Sequence, residues 1–370
     1  MRAAVQIDPL MAMGYYLLGN SLLQQDKPDE AAQEYQQAIA LDPNLAAAHY
    51  NLGVALYRQG LPQSAVTSFQ RAASLDDEFA AAHYNLALAY DSLGRDREAA
   101  EAYRQALLIE PNNVQAYYNL GLIVAQEGAR AEAVNLFEQA IELDPEFAPA
   151  YYQLGVLYAD QGDLIAARDA LGLAARLEPE SAQAQYQLGL VYSQLDDPVA
   201  AAERFTRAAE LEANNVTTYQ QLGAVLARTG NNEQAIAALT KAIELDPEEP
   251  TNYYNLGIAY QRTGLYDEAI VAYQSAIRLD PVFADAFYNL GDAFYETQRY
   301  EPAIAVLRQA RSLYLGERNM EKADEVVTFL NETVIPAQEA ALAEAERLRQ
   351  QQEQQQEQQQ QSPQQPQPFQ

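Results

Sequence analysis

Apolar and small residues recur along this chain at helical spacing, and the pattern returns every 34 residues. In the segment 114–147, two apolar stripes are separated by Gly128 and closed by Asp144 and Pro145. The stripes consist of Tyr117, Leu120, Gly121 and Val124, and then of Ala133, Phe137 and Ala140. Residues three, four and seven positions apart share one face of an α-helix. Each segment is therefore predicted to form a pair of packed helices.

The register of the repeat holds over most of the chain. With Ala12 as position one, nine repeats of 34 residues fill positions 12–317 without insertion or deletion. Position eight is glycine in eight of nine repeats, and positions twenty and twenty-seven are alanine in all nine. We expect the glycine at position eight to let a neighbouring helix approach closely. A second glycine between the two helices is expected to take the left-handed conformation that ends a helix.

These features together resemble the tetratricopeptide repeat family, whose signature at this period includes Leu-Gly, aromatic residues, two alanines and a closing proline. The resemblance covers residues 12–317. The family's tryptophan at position four is mostly tyrosine here, and the closing proline is missing at Asp77, Ala213 and Leu315. The resemblance implies an all-α solenoid, in which antiparallel helix pairs form a right-handed superhelix.

The segments that flank the nine repeats are predicted separately. Residues 1–11 are interpreted as a partial repeat or an N-terminal cap, and self-association through this N-terminal face is a further expectation. Residues 318–335 are predicted to form a capping helix. Its apolar residues on or near one face are Met320, Ala323, Val327, Leu330 and Val334. Residues 336–370 are interpreted as a Gln-rich tail that passes from helical to disordered, and a partner-binding element is the alternative.

The charge of the chain narrows the classes of partner. A formal net charge of -29 argues against nonspecific binding of nucleic acid, which depends on clustered lysine and arginine. The chain contains no cysteine and no apolar run long enough to span a bilayer, and no cleavable leader is visible. We expect a cytoplasmic protein. The acids that recur in the turns are Asp42, Asp76, Asp144, Asp246 and Asp280. A solvated surface is the favoured interpretation, and a site for a basic partner is the alternative.

No pattern of catalytic residues emerges. The sequence contains no phosphate-binding glycine loop, no nucleophile elbow and no metal-ligand spacing. His49 and His83 hold position four in adjacent repeats, where a shared metal is conceivable. They replace a core aromatic residue, so packing is the favoured interpretation. We predict no catalytic residue, no cofactor and no metal, and we expect that the protein is not an enzyme.

One face of the first helix in each repeat is the candidate binding surface. Positions two, five, nine, twelve and thirteen share this face, which lines the concave groove in the resembled family. Position five is tyrosine in eight of nine repeats, and position six is mostly asparagine or glutamine. Amides can donate to and accept from a peptide backbone, although packing would also explain both residue types. The predicted peptide-binding residues are Tyr50, Asn51, Tyr84, Asn85, Tyr118, Asn119, Tyr152, Gln153, Tyr186, Tyr254, Asn255, Tyr288 and Asn289.

The function predicted from these observations is a noncatalytic scaffold or assembly factor that binds extended or helical segments of other proteins. Asp292 and Glu296 are expected to meet a basic residue of a partner. Family members that hold a peptide's carboxylate use lysine or arginine at positions where this chain has tyrosine and amides, so that mode is disfavoured. The alternatives are the substrate-recognition array of a protein glycosyltransferase-type system that lacks its catalytic domain and, by analogy, an assembly factor for photosynthetic complexes.

Overall fold

The computed structural model describes residues 11–361, and every regular element in that range is helical. Each repeat supplies two helices. In chain order they are α1 (Ala12–Gln24), α2 (Pro28–Leu41), α3 (Ala46–Arg58), α4 (Pro62–Leu75), α5 (Ala80–Asp91), α6 (Asp96–Ile109), α7 (Val114–Gln126), α8 (Arg130–Leu143), α9 (Ala148–Gln161), α10 (Leu164–Leu177), α11 (Ala182–Gln194), α12 (Pro198–Leu211), α13 (Val216–Arg228), α14 (Asn232–Leu245), α15 (Pro250–Arg262), α16 (Tyr266–Leu279), α17 (Ala284–Glu296) and α18 (Tyr300–Gly316). Three further elements follow: α19 (Met320–Phe329), a π-helical turn (Leu330–Val334) and α20 (Ile335–Gln361). The interpretations of residues 1–10 and 362–370 lie outside the described residues.

The chain divides into two compact bodies, Met1–Pro179 and Glu180–Gln370. Within each body, the two helices of a repeat pack on each other, and the second helix packs on the first helix of the next repeat. The predicted all-α solenoid of helix pairs is confirmed. Within residues 11–361, no helix is both long enough and apolar enough to traverse a bilayer.

The contact between positions eight and twenty-four explains why glycine recurs in the first helix. A Cβ atom added at Gly121 would lie 2.7 Å from Cε1 of Phe137, and one at Gly257 would lie 2.5 Å from Cε1 of Tyr273. The side chain at position twenty-four is fully buried in every repeat: Tyr35, Phe69, Tyr103, Phe137, Leu171, Phe205, Leu239, Tyr273 and Leu307. Eight of the nine repeats thus pair glycine with a large side chain, which lets the two helices approach closely, and repeat three has Ala87 at the glycine position.

The turn between the two helices needs one residue with positive φ. Glycine fills this position in six repeats, at Gly60, Gly94, Gly128, Gly162, Gly230 and Gly264, with φ between 66° and 84°. This confirms the prediction of left-handed helix ends. The other three repeats reach the same region without glycine, at Asp26, Asp196 and Gln298, with φ of 57–59°.

The acidic residues that recur between repeats stabilise the turns that follow the second helices. In five turns, the aspartate side chain accepts a hydrogen bond of 3.0–3.2 Å from the backbone N–H two residues later. The five residues are Asp42, Asp76, Asp144, Asp246 and Asp280. This Asx turn gives a hydrogen-bond partner to a backbone N–H that lies in the turn, outside both helices. Proline follows four of these aspartates and disfavours further helix.

The second body ends in a helix that covers the last repeat. Ala323 and Val326 of α19 are buried, as are Leu330 and Val334 of the π-helical turn. Met320, which was expected on the packed face, is 57% exposed, and Val326 takes the buried place expected for Val327.

A polar contact ties this covering helix to repeat nine. Asp285 of α17 accepts hydrogen bonds from Nζ of Lys322 at 2.6 Å and from the hydroxyl of Tyr314 at 2.5 Å. The side chain of Asn319 caps α19 by accepting from the backbone N–H of Lys322. The lysine therefore links α19 to the first helix of the repeat, beside the apolar contact.

Candidate functional site

The position-five tyrosines of the candidate groove are half-buried, and six of the eight rings pack on an aromatic residue at position twenty-four of the same repeat. The ring centroids of the six such pairs lie 5.6–6.1 Å apart. In the first body the pairs are Tyr16–Tyr35, Tyr50–Phe69, Tyr84–Tyr103 and Tyr118–Phe137, and in the second body Tyr186–Phe205 and Tyr254–Tyr273. One surface of each ring is thus committed to the core.

Several of these tyrosines also contact the last residue of their own repeat. The rings of Tyr50 and Phe79 lie 4.8 Å apart, and those of Tyr254 and Phe283 also lie 4.8 Å apart. Tyr118 makes an edge contact with Phe147 at 5.3 Å. In the last repeat, Tyr288 packs instead on Phe329 of α19 at 6.1 Å. These contacts fix the orientation of each ring before any ligand arrives.

Three of the position-six amides donate to the position-five tyrosine hydroxyl of the preceding repeat, two of them in the first body and one in the second. The donor is Nδ2 in every case, and the bonds measure 3.0–3.3 Å. The pairs are Asn51 to Tyr16, Asn85 to Tyr50, and Asn289 to Tyr254. Asn119 differs and donates to the hydroxyl of Tyr103 at 3.2 Å. These amides therefore join adjacent repeats.

The remaining predicted groove residues occupy equivalent places on their helices. Tyr152 and Gln153 lie on α9, and Asn255 lies on α15, all of them half-buried. Burial raises the pKa of the hydroxyls of Tyr50, Tyr84, Tyr186 and Tyr288, and raises that of Tyr254 to about 12. Each hydroxyl therefore keeps its proton at neutral pH and can donate a hydrogen bond.

Apolar residues at position nine occupy the same face, one helical turn beyond the tyrosines. In the first body these residues are Val54, Leu88, Leu122 and Val156, all half-buried. Tyr57, at position twelve, is 37% exposed. The candidate surface of this body therefore combines aromatic edges with aliphatic side chains, which suits an apolar segment of a partner.

The arginines at position thirteen are engaged by the preceding repeat. Nη1 of Arg58 donates to the backbone oxygen of Leu23 at 3.4 Å, and Nη1 of Arg262 donates to that of Ala227. Arg228 pairs with Asp196 at 2.6 Å. These cations stabilise contacts between repeats, a role that the repeat pattern alone did not predict.

The acidic end of the surface lies in repeat nine. Asp292 accepts a hydrogen bond of 2.5 Å from Nε2 of Gln261, whose Oε1 accepts from the hydroxyl of Tyr273 at 2.7 Å. Burial and the neighbouring Glu296 raise the pKa of Asp292, while Gln261 opposes the rise. The amide of Gln261 thus joins a core tyrosine to a groove carboxylate.

The two histidines lie in separate repeats, each beside the turn that precedes it. Nε2 of His49 lies 3.0 Å from the backbone oxygen of Pro43. Burial lowers the pKa of His83, although Asp77 opposes the change. Within residues 11–361, no group of three or more histidine, cysteine, aspartate or glutamate side chains could hold a metal ion.

Comparisons with known proteins place the repeats in a family. One family model, described as TPR repeat, matches residues 19–60, 90–128, 125–162, 228–264 and 263–298. Three models described as tetratricopeptide repeat match residues 46–79, 148–181, 182–215 and 285–314. No curated protein matches the chain.

Three solved structures illustrate what the chain is similar to. YrrB, described as a TPR protein with an unusual peptide-binding site, is 28% identical over 50% of this chain and 96% of its own, with a TM-score of 0.49. MamA from Desulfovibrio magneticus RS-1 is 27% identical over 45% of this chain and 95% of its own, with a TM-score of 0.43. The pilF protein of Pseudomonas aeruginosa is 22% identical over 57% of this chain and 95% of its own, with a TM-score of 0.49.

The repeat period, the helix pairs and the family matches agree over the same residues. Proteins of the tetratricopeptide repeat family generally act as noncatalytic scaffolds that bind other proteins. The chain belongs to the tetratricopeptide repeat family.

Proposed function

We propose that the protein is a noncatalytic scaffold that binds peptide segments of other proteins on the groove face of its first helices. The observation that carries the proposal is the row of half-buried tyrosines at position five. In the first body, the rings of Tyr50, Tyr84 and Tyr118 pack on the aromatic residue at position twenty-four of their own repeat. A side chain that is already fixed loses little conformational freedom on binding. The exposed edges of Tyr50, Tyr84 and Tyr118 therefore form a preorganised contact surface in the first body.

The neighbouring position-nine residues supply the apolar part of this surface. Leu88 and Leu122 lie four residues after Tyr84 and Tyr118 on the same helices, one turn along the groove face. An engaged aromatic or aliphatic anchor contributes about 1–3 kcal/mol on truncation. Three or four such anchors would account for binding in the micromolar range, which corresponds to about 8 kcal/mol.

A test of the groove must separate binding from folding. Alanine at Tyr84 or Tyr118 would remove ring packing in the core and would weaken both. Position nine offers a cleaner change, because repeat one already carries Asn20 there and repeat nine carries Asp292. We therefore choose Leu88→Asn combined with Leu122→Asn. The matched control is Leu108→Asn, since Leu108 is 76% exposed on α6 and does not lie on the groove face.

Peptides selected from a random display library on the full chain serve as the ligands, and fluorescence anisotropy gives their dissociation constants. We expect the double variant to weaken binding at least about tenfold, which is about 1.4 kcal/mol, while the Leu108 control binds as the wild type does. Far-UV circular dichroism and the urea midpoint verify that each variant folds. Equal affinity of the double variant and the wild type for every selected peptide would refute the groove.

A further inference from the structure

Repeat eight carries an open notch on a different surface from the groove. The notch has a volume of about 410 Å³ and lies between α15 and α16. Tyr253 and Tyr260 of α15 line it together with Val271 and Ala272 of α16, and Asp267 and Glu268 also border it. No residue at the groove positions two, five, six, nine, twelve or thirteen lines this repeat-eight notch. Its role is therefore independent of the function proposed above.

The apolar side chain at position twenty-two sets repeat eight apart. Val271 is 64% exposed there, although burial of a valine side chain is favourable and its exposure to water is not. Two of the other repeats have alanine at this position, Ala237 and Ala305. The remaining six have polar or charged residues: Gln33, Thr67, Glu101, Asn135, Asp169 and Glu203. Repeat eight thus exposes an aliphatic side chain where its neighbours expose a polar or small one.

Two other repeats carry charged residues at the positions that border the notch in repeat eight. Repeat five has the same two tyrosines and alanine, as Tyr151, Tyr158 and Ala170, but its position twenty-two is Asp169, which pairs with Arg168 at 2.7 Å. Repeat six places Arg204 at position twenty-three, where Nη1 donates to Oε1 of Gln185 across the two helices at 3.3 Å. Repeat eight has Val271 and Ala272 at these two positions, with neither a charge nor a long side chain beside Tyr253 and Tyr260.

The border of the notch carries a carboxylate that has no partner. Asp267 is paired with Arg299 at 2.6 Å, but Glu268 is exposed and makes no ion pair or hydrogen bond with any residue in 11–361 beyond its helix backbone. A basic group beside the notch would be attracted to Glu268. A second copy of this chain, with a formal net charge of -29, would be repelled at long range.

We propose that the repeat-eight notch docks a segment of a partner protein in which a leucine- or phenylalanine-sized side chain stands beside a lysine or arginine. The apolar side chain enters between Tyr260 and Val271, and the basic group pairs with Glu268. This arrangement follows the usual division of an interface into a desolvated apolar anchor and a charged rim.

The test uses substitutions that other repeats already tolerate. Val271→Asn copies Asn135 of repeat four, and Ala272→Leu fills the notch with the side chain that repeat four has at Leu136. Ala237→Asn makes the same exposed change at position twenty-two of repeat seven and serves as the control. Glu268→Gln removes the free charge without changing the size of the side chain.

The probes are peptides from a random display library, selected on the full chain at low salt and counterselected on the Val271→Asn variant. We expect enriched sequences with an apolar residue next to a basic one. Their dissociation constants should rise at least about tenfold in Val271→Asn and in Ala272→Leu, should rise severalfold in Glu268→Gln, and should stay unchanged in Ala237→Asn. Binding should also weaken as the salt concentration rises.

Several outcomes would overturn the proposal. They are the absence of enriched peptides after counterselection, an affinity that Ala272→Leu leaves intact, and enriched sequences that lack a basic residue or ignore Glu268→Gln. Sedimentation provides the last check. A wild-type dimer that Val271→Asn converts to a monomer would show that the notch is occupied by a second copy instead.

Discussion

The pairing of a glycine at position eight with a large side chain at position twenty-four can be tested with a single methyl group, added as Gly257→Ala. The new Cβ would lie 2.5 Å from Cε1 and 2.7 Å from Cδ1 of Tyr273. Carbon atoms in contact need about 3.5–4.0 Å. The ring has little room to retreat, because Tyr273 is fully buried and its hydroxyl donates to Oε1 of Gln261 at 2.7 Å.

Two opposing effects set the size of the change. Overpacking a core typically costs about 1–3 kcal/mol. Alanine favours a helix over glycine by about 1 kcal/mol, which offsets part of that cost. We therefore expect Gly257→Ala to lower the local free energy of unfolding by about 1–2 kcal/mol. Repeat three has alanine at position eight, Ala87, and tyrosine at position twenty-four, Tyr103, both fully buried, so a repeat can accommodate the methyl group.

Amide hydrogen exchange, read by mass spectrometry on peptides from α15 and α16, is the suitable assay because a repeat array unfolds locally. Gly257→Ala should accelerate exchange in these two helices. A double-mutant cycle with Tyr273→Phe, which frees the ring from Gln261, should show a coupling energy of at least about 0.5 kcal/mol. Unchanged or slower exchange in Gly257→Ala would show that the ring yields without cost, and the steric explanation of the glycine would then be wrong.

Three further predictions concern single residues. Gly128→Ala should cost about 1 kcal/mol in urea unfolding through the backbone alone, since its φ is 84° and a new Cβ would meet nothing within 4 Å; an unchanged midpoint would contradict this. Burial raises the pKa of Asp292, so its charge costs stability at neutral pH. Asp292→Asn should therefore raise the urea midpoint at neutral pH, with a gain that shrinks as the pH falls through the raised pKa; a lower midpoint would count against the reasoning. Burial alone would raise the pKa of Asp285, but hydrogen bonds from Lys322 and Tyr314 bring it below its usual value. This contribution is complete above the unfolded pKa of about 3.9 and is lost as the pH falls through the lowered folded value. The protection of α19 amides, corrected for the intrinsic pH dependence of exchange, should therefore fall under acid in the wild type but not in Asp285→Asn.

The fold could be predicted from the sequence because its determinants are local and periodic. A stripe such as Tyr117, Leu120 and Val124 specifies a helix face, and a glycine such as Gly128 marks where the helix must end. The end of the first helix was less predictable at Asp26, which takes a φ of 57° without being glycine. The chain reaches the left-handed conformation there because the packing of both flanking helices requires a turn of the same length.

The candidate surface was only partly predictable. The period placed Tyr50 and Asn85 on the expected helix face, but it could not show that the asparagine donates to the tyrosine hydroxyl of the preceding repeat at 3.0 Å. That contact joins residues 35 positions apart and depends on how two repeats stack. The notch of repeat eight was missed because Val271 conforms to no repeat rule, and the signal that could have found it was its departure from the polar residues at the same position.

The Asx turns between repeats depend on a side-chain oxygen and not on the negative charge of the aspartate. An Asx turn needs a side-chain oxygen that accepts a backbone N–H, and the amide oxygen of asparagine provides one as well as a carboxylate does. Substitution of the turn aspartates by asparagine could therefore remove five negative charges and keep the hydrogen bond of each turn. The five residues are Asp42, Asp76, Asp144, Asp246 and Asp280. Selection could then adjust the electrostatic field that approaching partners experience without altering the helix stack, because the turn needs only one accepting side-chain oxygen, whereas the charge needs a carboxylate.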